Sequence, residues 1–125
     1  MQRTMQKLMQ QYVSNVCDIY GSHLRQVILY GSYARNEFNS ESDIDIMILL
    51  NLSDMDIKKY RRRLSDMTFD FNMDYDVDIK PIAKNEEHYL KWVGNYPFYS
   101  NVDRDGVMLY AASWWNWNSD GWVIL

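Results

Sequence analysis

Residues 27–50, VILYGSYARNEFNSESDIDIMILL, constrain the fold more than any other part of the chain. Val27-Ile28-Leu29-Tyr30 is a short apolar run with the character of a buried strand, over about residues 25–30. Gly31-Ser32 breaks it, and Ala34-Arg35-Asn36 follows as a turn or a helical start. A second strand is expected over residues 43–50, and its first two carboxylates, Asp43 and Asp45, stand two residues apart. Side chains alternate along a strand, so both carboxylates point to one face while Ile44, Ile46 and Ile48 point to the other. With so short a loop between them, the two strands are expected to be neighbours.

Two adjacent carboxylates on an apolar strand repel each other and resist burial. A divalent cation removes that conflict, and hard oxygen ligands of this kind suit Mg²⁺. Gly31 permits a close backbone approach to a ligand, and Ser32 adds a hydroxyl and an N–H, a combination that can hold phosphate oxygens. Taken singly, an Asp-x-Asp is usually a solvated strand end and a Gly-Ser is usually a turn. It is the combination, each motif tied to its own strand, that is specific.

The stretch resembles the signature of the DNA polymerase β-like nucleotidyltransferase superfamily: Gly-Ser, about ten residues, then Asp-x-Asp. The intervening residues here are 33–42. Within that superfamily the chain resembles the minimal nucleotidyltransferases of the MntA-type antitoxins found beside HEPN-domain toxins. The likeness extends over about residues 8–110. Asn36 departs from the pattern, where Gly is commoner, and Asn tolerates left-handed backbone angles better than most residues.

The resemblance implies an α/β (α+β) fold, a small mixed β-sheet with helices on one face. It implies Mg²⁺ as cofactor and ATP as substrate. Asp43 and Asp45 would hold metal, joined by a third acidic residue flanked by hydrophobics. Asp78 suits that role best, with Asp76 as the alternative. Gly31 and Ser32 would hold phosphates, assisted by Arg35. The implied reaction is transfer of AMP to a tyrosine of a HEPN ribonuclease toxin, making a hetero-oligomer of toxin and antitoxin possible. The alternatives are transfer to a small molecule or nucleic acid, and a non-catalytic antitoxin that acts by binding alone.

The rest of the chain is compatible with this. At 125 residues it can bury a substantial core. Thirteen basic against 17 acidic residues, net −4, argue against general affinity for nucleic acid. The single cysteine, Cys17, excludes an internal disulfide framework and fits a reducing cytoplasm. No apolar stretch is long enough to span a membrane. The division expected is a nucleotidyltransferase domain over residues 1–110 and a Trp-rich tail over 111–125.

Met5, Leu8, Met9, Tyr12, Val13, Val16 and Tyr20 recur at helical spacing and predict a helix over residues 2–20, stopped by Gly21. Ser53 is expected to cap a helix running to about residue 67, with Asp56 completing a capping box. Its basic run, Lys58-Lys59-Tyr60-Arg61-Arg62-Arg63, reads first as a solvated face and second as a contact for phosphates or an acidic partner. Residues 75–79 read as a third strand ending before Pro81, with Asp76, Asp78 and Lys80 on one face. A helix over residues 85–92, a short helix from Pro97 to Arg104, and an apolar segment at residues 107–110 complete the reading. The tail carries four of the five tryptophans, a density that would make an association patch if exposed.

Overall fold

The structure, a computed structural model, describes residues 3–35, 42–94, 102, 104–112 and 122–124. Helix α1 (Arg3–Tyr20) turns Met9, Tyr12, Val13, Val16 and Tyr20 into the core, the stripe expected from their spacing. Gly21, at φ +56°, ends it in a backbone conformation other residues adopt at a cost. A single 3₁₀ turn (Gly21–His23) leads into β1 (Leu24–Tyr30), and β2 (Ile44–Leu50) follows. The two strands pair antiparallel, with Tyr30 opposite Asp45.

Helix α2 (Asp54–Tyr75) then crosses to β3 (Ile79–Asn85), which pairs parallel to β2, with Ile44 opposite Ile79. A parallel partner requires such a crossover. Helix α3 (Glu86–Trp92), β4 (Val107–Ala112) and β5 (Trp122–Ile124) complete a five-stranded mixed sheet ordered β3-β2-β1-β4-β5. The segment at residues 107–110, expected only as an apolar piece, is therefore a strand beside β1. It continues through Ala112, across the expected division at residue 110, and β5 pairs with it. The helix expected from Pro97 lies largely outside the described residues, as do Asn36 and the tryptophans at 114, 115 and 117.

The sheet has two covered faces. Val27, Leu29, Ile44, Ile46, Ile48 and Leu50 pack against α1 and α2. Ile28, Met47 and Leu49 pack with Tyr89 of α3 and Val102 on the reverse side. The helices are thus not confined to one face, because α3 takes the other. β2 is buried on both sides, as its almost unbroken apolar run requires.

Two expectations need correction. Helix α2 runs to Tyr75 rather than to about residue 67. Leu64, Thr68 and Phe71 continue the helical spacing into the core, and Phe71 meets Tyr12 edge to face and Tyr75 at a tilt. The third strand consequently begins at Ile79, not at Tyr75, and passes through Pro81 instead of stopping before it. Pro81 is tolerated because β3 lies at the edge of the sheet, where a missing N–H costs no ladder bond. The cap at Ser53 is as expected, its hydroxyl accepting from the Asp56 N–H. The Asp56 carboxylate does not close a box, and is found 3.1 Å from Lys59 Nζ.

Candidate active site

The candidate residues gather at one end of the sheet, where β1 finishes and β2 and β3 begin. Asp43 immediately precedes β2 and Asp45 is its second residue. Asp78 immediately precedes β3, and its carbonyl accepts a hydrogen bond from the Ile44 N–H at 2.9 Å. That bond splices the two strand starts together and sets Asp78 beside Asp43.

The placement of Asp78 depends on the end of α2. Asp76 adopts the left-handed conformation, φ 54° and ψ 51°, and its N–H returns to the Asn72 carbonyl. The Asn72 side chain then clasps the start of β3, accepting from the Ile79 N–H at 2.9 Å and donating to the Ile79 carbonyl at 3.2 Å. Asp76 is therefore spent on turning the chain. Asp78 is the residue whose side chain meets Asp43.

Gly31 stands at φ +76°, and a Cβ there would collide with Asp45 Oδ2 and lie 3.2 Å from Asp45 Cγ. The glycine is thus needed twice over, for the backbone angle and for the space the carboxylate fills. Ser32 and Arg35 lie in the turn that follows, and the Arg35 N–H donates to the Gly31 carbonyl at 3.2 Å. The Arg35 charge also reaches Asp45.

The electrostatics are those of crowded carboxylates. Lys80 Nζ lies 3.0 Å from Asp43 Oδ2. Its hydrogen bond, and one from Asp78, hold the Asp43 carboxyl below its ordinary value. The same contact with Asp43 raises Asp78, so Asp78 keeps its proton longer and donates it toward Asp43. Burial, then the Asp43 charge, raises Asp45, while Lys80 and Arg35 pull it back. Tyr30, opposite Asp45 in the sheet, is pushed up to about 12 by burial and by that carboxylate.

The donor set suits a hard divalent cation in kind: three carboxyl groups crowded together, two of them in direct contact. Lys80 serves as the counter-ion in this arrangement. Among the described residues no three His, Cys, Asp or Glu side chains are already set around a cation position. Holding one would require Lys80 to draw back from Asp43.

Lys80 and Asn72 were not singled out from the sequence as site residues. In the sequence Lys80 shows only that it shares a face with Asp78, because its contact with Asp43 depends on the β2–β3 pairing. Asn72 carries no signal until the end of α2 is known. Among the described residues no helix is long and apolar enough to cross a membrane.

Comparison with known proteins places the chain. The nucleotidyltransferase domain family matches residues 9–99. A Methanocaldococcus jannaschii protein bearing the name "Putative protein adenylyltransferase MJ0604" is 32% identical over 113 residues, 84% of this chain and 97% of that protein. The fold is similar to a chain in a crystal structure of a toxin–antitoxin with AMP-PNP, with a TM-score of 0.55 and 19% identity over 82% of this chain and 73% of that one. It is also similar to a chain in a structure of a tri-AMPylated Shewanella oneidensis HEPN toxin in complex with an MNT antitoxin. There the TM-score is 0.52 and the identity 18%, over 85% of this chain and 71% of that one. The chain is a nucleotidyltransferase: it belongs to the nucleotidyltransferase domain family, and it shares its fold with chains of those toxin–antitoxin complexes.

Proposed function

We propose that this chain transfers AMP from ATP, with Mg²⁺, to a tyrosine hydroxyl of a HEPN-type toxin and thereby neutralises it as an antitoxin. The observation that carries the reading is the meeting of Asp43 and Asp78 beside Asp45, at the sheet end that also holds the Gly31 turn. The protein-adenylyltransferase name of a relative and the toxin–antitoxin complexes of the structural neighbours support a protein acceptor.

In this reading Asp43, Asp45 and Asp78 hold the metal, which when bound neutralises charge on the triphosphate. The turn at Gly31, Ser32 and Arg35 receives the phosphates beyond the α-position. Its N–H groups and the Arg35 charge suit anionic oxygens. The acceptor oxygen forms a bond to the α-phosphorus as the bond from that phosphorus to the bridging oxygen breaks, and pyrophosphate leaves with the electron pair. The acceptor proton passes to the carboxylate of Asp78, which stands beside Asp43. Tyr30 keeps its own proton, since burial and Asp45 oppose its ionisation.

The test is label transfer from nucleotides carrying a labelled α-phosphate, offered with a HEPN-type partner in Mg²⁺ or in chelator. Label from ATP on the partner in Mg²⁺ supports the reading, provided that Asp43→Asn eliminates it. Label from another nucleotide in preference would overturn the adenine assignment. Label reaching small molecules or nucleic acid but not the partner would overturn the acceptor.

A further inference from the structure

The outward face of α2 has a pattern that the nucleotidyl-transfer site leaves unexplained. Leu64, Thr68 and Phe71 point into the core, so the opposite stripe consists of Met55, Lys59, Arg62, Asp66, Phe69 and Met73. These six residues are spaced four, three, four, three and four apart, the seam of a heptad repeat. Three are large apolar side chains left in solvent: Met55 is 74% exposed, Phe69 65% and Met73 69%. Isolated exposed apolar residues need no explanation, but three on one helical stripe do.

Charge is segregated along the same helix. After an acidic first turn, Asp54 and Asp56, the residues Lys58, Lys59, Arg61, Arg62 and Arg63 form a basic block, and Asp66, Asp70 and Asp74 an acidic one. The acidic first turn suits the helix dipole, but the basic block followed by an acidic last half runs against it. A second α2 laid antiparallel brings each half against its opposite.

The pairing can be followed along the seam, and its one like-charged match, Asp54 opposite Asp74, lies off the seam at each end. With Met55 of one copy opposite Met73 of the other, Lys58 falls opposite Asp70, Lys59 opposite Phe69 and Arg62 opposite Asp66. Every contact is repeated in reverse by the two-fold axis, as an isologous interface requires. Apolar side chains meet apolar ones, cations meet carboxylates, and an ammonium meets an aromatic ring. Within one chain the Arg62–Asp66 pair is long, 3.8 Å, and largely solvated, so little is lost in exchanging it across an interface.

We infer that the α2 face is a self-association surface whose partner is a second copy of this chain, docked antiparallel through Met55, Arg62, Asp66, Phe69 and Met73. The surface is built from none of the residues of the candidate active site, so the inference does not depend on the transfer reaction.

The experiment is sedimentation equilibrium on the full chain across a range of concentrations, with Arg62→Asp, Asp66→Arg and the variant carrying both. The wild type is expected to pass from 15.0 kDa to twice that mass as concentration rises. Each single reversal places like charges together twice, and is expected to weaken association at least about tenfold. The double variant restores opposite charges across the axis and is expected to recover association. These side chains are solvent-exposed, and helical circular dichroism checks that each variant remains folded. Monomer throughout the range overturns the inference. So does a dimer indifferent to both single reversals, or one that the double variant fails to rescue. So does a result in which the reversals weaken only capture by a HEPN-type partner, which would give the face to that partner.

Discussion

Gly31→Ala separates two roles of one residue, because the chain contains its own control. Gly21 also sits at positive φ, +56°, yet a Cβ there meets nothing within 4 Å. Gly31, at +76°, would drive a Cβ into the Asp45 carboxylate. The backbone term is common to both and costs about 1–2 kcal/mol for a non-glycine residue. Gly21→Ala should therefore lower Tm by roughly 4–10 °C for a chain of this size, and leave transfer per folded molecule unchanged. Gly31→Ala carries the same cost plus that of displacing Asp45, roughly 1–3 kcal/mol more. A misplacement of about 1 Å near reacting groups costs on the order of 100-fold in rate, so transfer should fall by about that factor. The assay is a thermal melt paired with initial rates of label transfer, measured well below each Tm. Equal melting losses and equal transfer in the two variants would refute the claim that Gly31 keeps space for a working carboxylate.

Three further outcomes follow from the same geometry. Asp45→Asn should abolish transfer, yet melt in chelator at or above the wild-type Tm at pH 7. The folded-state pKa of Asp45 is raised, so its charged form opposes folding, and the advantage of Asn should shrink as pH falls toward the carboxylate range. A lower Tm at pH 7 would contradict this. Lys80→Gln removes the counter-ion 3.0 Å from Asp43, and should lower Tm in chelator while enlarging the rise produced by Mg²⁺; differential scanning fluorimetry with and without the metal reads both. Asn72→Ala deletes the two bonds that clasp Ile79, and should cost about 1–3 kcal/mol in a denaturant melt. It should also slow transfer through Asp78, and full transfer in a destabilised protein would show that Asp78 needs no such positioning.

Much of this arrangement was legible in the sequence, for reasons that particular residues make plain. Ile44, Ile46 and Ile48 could face only a core, which left Asp43 and Asp45 together on the other side of the same strand. The stripe from Met9 to Tyr20 has one helical solution. The region from Met67 to Pro81 was misread because two local signals competed there. Tyr75-Asp76-Val77-Asp78-Ile79 alternates like a strand, and Pro81 looked like its end. The packing of Phe71 between Tyr12 and Tyr75 keeps the helix going, and the left-handed turn at Asp76 absorbs the alternation. Neither contact is local enough to be seen in the order of residues. The role of Lys80 was hidden for the same reason, since Asp43 lies 37 positions earlier and the two meet only when β3 pairs with β2.

The most direct test of the account is the intact mass of a HEPN-type partner after incubation with this chain, ATP and Mg²⁺. The account predicts an increase by one or more AMP units, localised to tyrosine by fragmentation, with loss of the partner's toxicity. It predicts no increase with Asp43→Asn, even where that variant still binds. An unchanged partner mass, together with equal neutralisation by the wild type and Asp43→Asn, would show that the chain acts by binding alone and would contradict the account.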